Sequence, residues 1–273
     1  MSGINQEPKP VRWLCIGIIF VWLLALSAPA TAQSMVLADK VTLGDTSIAA
    51  PALNYMNGIC YIAWTGTDSG KHLNVMSSTN AKDFTGKTTL GDTSITGPAL
   101  TTFNNMLYIG WTGTDSAQHL NVMSSSDGVH FSNKAILGDT SIAAPALAVF
   151  NNKLYIAWTG TDSGHHLNVM SSSDGTNFGG KVTLGDTSFT GPSLEARSKL
   201  WLSWAGTGNR MLNVMSSDDG SNFGGKTVFS TDTSIDTPVI AGSIGAGRLN
   251  IAWTGTDSGR HLNVARILGD VFN

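Results

Sequence analysis

The stretch "WTGTDSGHHLNVMSSSDG", Trp158 to Gly175, is nearly repeated from Trp64, Trp111 and Trp253, and a degraded copy starts at Trp204. Around these copies the "DTS" words place Asp45, Asp92, Asp139, Asp186 and Asp232 at spacings of 47, 47, 47 and 46 residues. Pro51, Pro98, Pro145, Pro192 and Pro238 follow at the same spacings. Five copies of a unit this long imply a repeat architecture, in which each copy buries its apolar face only against its neighbours.

Within one unit every signal is β. "PALAVF" from Pro145 opens with a proline, tolerated at the first residue of a strand. "KLYIAWTG" from Lys153 is nearly continuous in apolar, aromatic and β-branched residues, which suits a strand covered on both faces. "HLNVMSSS" from His166 and "KVTLGD" from Lys181 supply two more strands, and Asn151-Asn152, Asp162-Ser163-Gly164 and Asp174-Gly175 supply the turns. The reading is all-β: a five-bladed β-propeller of four-stranded blades. The chain ends test it. His166 to Leu184 spans 18 residues but His261 to Leu268 only 7, so the last unit lacks a fourth strand, while Lys40–Asp45 is a fourth strand without a unit. The expectation is a ring closed by this N-terminal strand completing the C-terminal blade, three strands plus one.

Residues 1–32 read as a signal peptide. Lys9 and Arg12 precede an apolar run from Trp13 to Leu26, and Ala30-Thr31-Ala32 forms a cleavage site. Cleavage would release residues 33–273 as an exported, secreted propeller with no membrane span. It would also remove Cys15, leaving Cys60 as the one cysteine and excluding an internal disulfide. A small buried apolar side chain is the reading for Cys60. Without Lys9, Arg12 and Glu7 the chain keeps 14 Lys+Arg against 18 Asp+Glu and has no basic block. A nucleic-acid partner, which needs a concentrated cationic face, is therefore excluded.

The word "SSSDGTNF" from Ser171 to Phe178 resembles a degenerate Asp-box, the Ser-x-Asp-x-Gly-x-Thr-Trp turn of sialidase-like propellers; it recurs at Ser124 and Ser216 and weakly at Ser77. Here glycine directly follows the aspartate and phenylalanine replaces tryptophan one residue early. The resemblance to secreted bacterial-type Asp-box propellers covers the repeat unit. The five-fold repeat is also similar in architecture to five-bladed tachylectin-type lectins. The sialidase resemblance implies that the Asp-box turns lie away from the functional face.

Alternating strands then put the "GDTS" and "GTDSGxH" loops on one rim as the candidate functional face. That rim would carry Asp45, Asp92, Asp139, Asp186 and Asp232, the pairs Asp68/His72, Asp115/His119, Asp162/His166 and Asp257/His261, and Trp64, Trp111, Trp158 and Trp253. Such groups suit sugars: an indole covers a pyranose C–H patch while carboxylate and imidazole bond its hydroxyls. Several shallow sites on one glycosylated surface gain avidity of order 10²–10⁴. The competing structural reading is a buried Asp–His–Ser/Thr–Trp network in each blade, as in WD40 propellers. In the fourth unit Gly208 and Met211 replace aspartate and histidine together, which fits either a lost contact or a lost site.

A sialidase would be expected to carry an arginine triad, a Tyr/Glu pair and an Arg-Ile-Pro motif. Residues 33–273 hold no Arg-Ile-Pro, one glutamate, Glu195, and arginines only in the last two units, at Arg197, Arg210, Arg248, Arg260 and Arg266. Gly220 to Thr227 matches a P-loop pattern, but a strand rather than a helix follows it; "GSIGAG" from Gly242 occupies a turn and is no dinucleotide loop. No zinc spacing or Asp-x-Asp-x-Asp-Gly calcium loop occurs, so no cofactor is expected. Three functions remain open: a multivalent lectin-like propeller binding glycans or glycosylated surfaces, a sialidase-like or other glycoside hydrolase active or relic, and a scaffold for protein ligands.

Overall fold

In a computed structural model of the chain, the described residues are 40–243 and 248–268. Residues 1–39, 244–247 and 269–273 lie outside them, and with them the segment read as a signal peptide and most of the "GSIGAG" word. The first blade comprises β1 (Ala52–Met56), β2 (Ile59–Thr65), β3 (His72–Ser78) and β4 (Thr85–Thr93), and the second β5 (Ala99–Phe103), β6 (Met106–Thr112), β7 (His119–Ser125) and β8 (Ser132–Thr140). The third comprises β9 (Ala146–Phe150), β10 (Lys153–Thr159), β11 (His166–Ser172) and β12 (Gly179–Thr187). In the fourth are β13 (Ser193–Ala196), β14 (Leu200–Ala205), β15 (Met211–Ser217) and β16 (Phe223–Thr233), and in the fifth β17 (Val239–Ser243), β18 (Arg248–Thr254) and β19 (Leu262–Ile267). Each sheet is antiparallel and in sequence order, and the five surround an axial channel of about 830 Å³ lined by residues of every blade. The fold is a five-bladed β-propeller.

The local chemistry explains the blade. Asn151-Asn152 joins β9 to β10 with both residues left-handed, at φ 46° and 56°, the hairpin geometry that matches strand twist. Asn104-Asn105 does the same at φ 48° and 58°. In β10 the apolar run packs on both faces, and β11 pairs with it in unbroken register, Trp158 opposite Asn168 and Ile156 opposite Met170. The segment with the P-loop pattern runs into β16, a strand.

The core lies between blades rather than within them. Leu73 and Val75 of the first blade cluster with Leu107, Ile109 and Trp111 of the second, and corresponding clusters join the second to the third and the third to the fourth. A smaller one joins the fourth to the fifth. Cys60 is buried, as its strand position implies. Where the fifth blade faces the first, the same positions are open: Leu262 is 85% exposed against 0% for Leu73, and Leu53 60% against 8% for Leu100.

The N-terminal word docks on the first blade as every other "GDTS" word docks on the blade after it. Asp45 pairs with Lys87, Thr46 Oγ1 lies 2.5 Å from Thr67 Oγ1, and Ser47 bridges Gly66. Lys40–Asp45 is not laddered onto β19, which is the edge of a three-stranded sheet among the described residues.

On the opposite rim the Ser-x-Asp-Gly turn closes the second, third and fourth blades each on its predecessor. Asp174 Oδ1 accepts from Ser172 Oγ and from the Thr176 and Asn177 amides, each at 2.8 Å. Tyr108 of the preceding blade then packs on Gly175, and its hydroxyl lies 3.4 Å from the Asp174 carbonyl. Asn80 fills the aspartate's place in the first blade. Gly175 sits at φ 80°, and a Cβ there would overlap the Tyr108 hydroxyl. Gly175→Ala should therefore cost about 1–3 kcal/mol in urea unfolding. Gly185→Ala, whose Cβ would meet nothing within 4 Å, should unfold like the parent chain.

Candidate functional site

The "GDTS" and "GTDSGxH" loops do share one rim, and they meet between blades. Asp139 ends the outer strand of the second blade, and its carboxylate reaches Lys181 of the third. The Lys181 ammonium lies 5.3 Å from the centre of the Trp158 ring. Thr140 and Thr161 hydroxyls meet across the same junction at 2.5 Å, and the fully buried Ser141 hydroxyl bonds the Thr159 carbonyl at 3.0 Å. The same lysine clamp joins Asp45, Lys87 and Trp64; Asp92, Lys134 and Trp111; and Asp186, Lys226 and Trp204. Asp232 bonds Thr231 and has no lysine across its junction among the described residues.

A cleft of about 450 Å³ opens between the second and third blades, lined by Asp139, Asp162, His166, Asn168, Lys181 and Thr183 with Trp158 in its wall. Its counterpart between the third and fourth blades is smaller, about 200 Å³. Both clefts lie between blades, each drawing one junction carboxylate with its flanking glycine and threonine from one blade and the rest of its lining from the next. The tryptophans are placed differently from a stacking platform. Trp64, Trp111, Trp158 and Trp204 are 1–4% exposed and each is covered by a lysine; Trp253 is half-buried. The indoles serve packing and hold the cation, and the polar groups face the cleft.

The Asp–His pair forms no buried network of the WD40 kind. Asp162 Oδ1 and His166 Nδ1 lie 2.6 Å apart within one loop, with both side chains more than two-fifths exposed. Asp68 with His72, Asp115 with His119 and Asp257 with His261 repeat this at 2.6–2.7 Å. The aspartate also caps the turn, accepting the Gly164 and His166 amides at 3.0 and 3.1 Å. An ionised carboxylate can only accept, so Nδ1 carries the ring proton and the Nε2 of a neutral ring remains a free acceptor. Hydrogen bonding from His72 holds the Asp68 carboxyl below its ordinary range. For Asp162 partial desolvation pushes the other way, but the His166 bonds prevail and the carboxyl is again held down. In the fourth blade the loop is one residue shorter, and Asn209 Oδ1 caps the Met211 amide at 3.0 Å.

Sequence reading alone missed the lysines. They recur at one position of each outer strand, but their aspartate partners lie 42 or 40 residues back, in another blade. The axial channel offers different chemistry: among its lining residues only Asp236 is ionisable. Among the described residues no group of three or more metal-ligating side chains occurs, and no helix is long and apolar enough to cross a membrane.

No protein-family model and no curated protein sequence matches the chain. Solved structures do match in fold. A Penicillium chrysogenum α-L-arabinanase complexed with arabinobiose is similar at a TM-score of 0.55 and 15% identity, over 74% of this chain and 76% of the arabinanase. A GH43_1 enzyme from Xanthomonas citri is similar at 0.54 and 11%, over 80% and 86%. An α-L-arabinofuranosidase from Clostridium thermocellum is similar at 0.51 and 15%, over 79% and 87%. By name these neighbours are an arabinanase, a GH43_1 enzyme and an arabinofuranosidase, where the Asp-box resemblance pointed to sialidases and the five-fold repeat to tachylectin-type lectins. At such identities they establish the fold.

Two expectations test the clamp and the cap. Lys181→Ala removes an exposed ion pair and a cation–π contact, and should lower stability by about 1 kcal/mol in denaturant titration. The four capping aspartates have depressed folded pKa values, so their stabilisation is present above the ordinary carboxylate range and lost as pH falls through the folded values. Acid unfolding monitored by tryptophan fluorescence should be shallower when Asp68, Asp115, Asp162 and Asp257 are all changed to Asn.

Proposed function

We propose that this chain is a multivalent carbohydrate-binding propeller that presents its sites in the clefts between blades. The reading rests on one observation: an open cleft at a blade junction lined by an ionised Asp162, a half-exposed His166 with a free Nε2, Lys181 and Thr183, a set that recurs in the first blade as Asp68, His72, Lys87 and Thr89 and in the second as Asp115, His119 and Lys134 with Ile136 in the threonine's place. Carboxylate and imidazole acceptors beside ammonium and hydroxyl donors suit the vicinal hydroxyls of a sugar. One such site binds weakly, and several facing a glycosylated surface outside the producing cell bind through avidity.

The glycosidase names of the structural neighbours favour a second reading, a glycoside hydrolase, active or relic. Hydrolysis with two carboxyl groups needs them about 5–9.5 Å apart around the scissile bond. The axial channel supplies a single carboxylate, Asp236, so any such pair must be sought in the clefts. A protein-binding scaffold is the third reading, and it has no observation of its own beyond the changing residues of the "GxH" loops.

The deciding experiment is a glycan-array screen of residues 33–273, with calorimetry on each hit and a parallel assay for release of reducing ends from arabinan and xylan. Binding at three or more sites per chain without hydrolysis is expected. Asp115→Asn with His119→Gln, which keeps a cap acceptor of the kind Asn209 provides, should remove one site while lowering the melting temperature no more than the loss of one capping carboxylate does. An empty array, or catalytic release of sugar, would overturn the binding reading.

A further inference from the structure

The fourth blade repeats the scaffold and changes its charge. In the first, second, third and fifth blades the rim loop carries an aspartate beside its histidine. The fourth blade has Gly208 and Asn209 there, and the amide of Asn209 does the capping that the carboxylate does elsewhere. The loop keeps its form and loses its negative charge.

The residue before the histidine position adds a cation. Lys71, Gln118, His165, Arg210 and Arg260 all occupy the left-handed region, at φ 50–61°, where glycine or asparagine is the ordinary choice. Each holds a long polar side chain at the rim against a backbone preference. Arg210 is distinguished from the others by its surroundings. Its guanidinium carbon lies 5.1 Å from the centre of the Phe189 ring, and Phe189 lines the channel where the other blades have isoleucine. Among the described residues no ion pair or side-chain hydrogen bond reaches that guanidinium. The carboxylate of the cleft that Asn209 lines, Asp186, is met by Lys226. A planar cation held on an aromatic face, with its donors unspent and its loop carboxylate removed, suits bidentate recognition of an anion.

We infer that the fourth blade carries a single subsite for a carboxylated sugar, such as a uronic acid residue, with Arg210 binding the carboxylate and Phe189 holding the guanidinium plane. The subsite deepens the carbohydrate-binding reading and rests on it: the blade whose sugar groups were altered takes an acidic residue of a glycan whose neutral residues occupy the other clefts.

The test is calorimetry of the full chain with trigalacturonate and with its methyl ester. The acid should bind about ten-fold or more tightly, as expected for charge-assisted hydrogen bonds, at one site per chain. Arg210→Asn, a residue the left-handed region tolerates, should abolish that preference without lowering the melting temperature. Arg210→Lys should retain part of it, having charge without the planar fork. Arg260→Asn, in a loop that keeps Asp257, should leave the preference intact. Equal affinity for acid and ester, binding of neither, or a preference that survives Arg210→Asn overturns the subsite. An empty neutral-glycan array beside an intact, Arg210-dependent acid preference overturns the cleft reading alone.

Discussion

A blade of this propeller cannot bury its own faces, and everything else in the structure answers that constraint. Leu73, Val75 and Trp111 become core only because one blade is laid on the next. A fully buried leucine or valine contributes about 1.5–3 kcal/mol, so each junction outweighs any single polar contact at its rims. The polar contacts have a different task, which is to fix how one blade sits on its neighbour. At one rim the "GDTS" word supplies an ion pair, a hydroxyl pair and a buried serine bond across the junction. At the other a tyrosine closes on the glycine of the next blade's turn. The junction between the fifth and first blades shows the same logic by contrast: the N-terminal word makes its contacts with the first blade, while Leu53, Tyr55, Leu262 and Val264 remain exposed.

This constraint also explains what could be read from the sequence. The strand words and turn residues are local and the 47-residue period is a spacing between copies, so the sequence discloses both without knowledge of the packing. The rim shared by the two loop types followed from strand alternation alone. What stayed hidden depends on which blade lies beside which. Asp139 reads as a free carboxylate until Lys181 is seen reaching it from the next blade. Trp158 reads as a sugar platform until that same lysine is seen over its ring. Asp162 and His166 read as partners in a buried network, yet their spacing of four residues lets them meet inside one exposed turn. In each case the missing information was the neighbour, which only the packing of blades supplies.

Repetition therefore has two meanings here. Positions invariant among the copies and buried, such as the serine of "DTS", record the packing requirement: Ser94, Ser141, Ser188 and Ser234 are all fully buried. Positions invariant and exposed have no packing reason to be so, and the Asp–His pair belongs to them only in part, because its aspartate also caps the turn. The histidine has no such structural duty. Its Nδ1 satisfies a carboxylate that already accepts two amides, and its Nε2 bonds nothing. That exposed histidine, present in four blades, is the side chain on which the proposed binding reading depends.

Symmetry finally bears on the choice between binding and catalysis. General acid–base chemistry separates its two carboxyl groups by environment, one protonated and one ionised. The rim carboxylates of this chain share an environment from blade to blade. The capping aspartates are all held in the ionised form by the same kind of hydrogen bonds, and the aspartates of four junctions each meet the equivalent lysine of the next blade. The capping aspartates are thus shifted away from a general acid, not toward one. The chemistry that identical, ionised, hydrogen-bonding sites perform well is recognition of one motif many times, and the fourth blade departs from it by changing charge rather than by assembling an acid and a base.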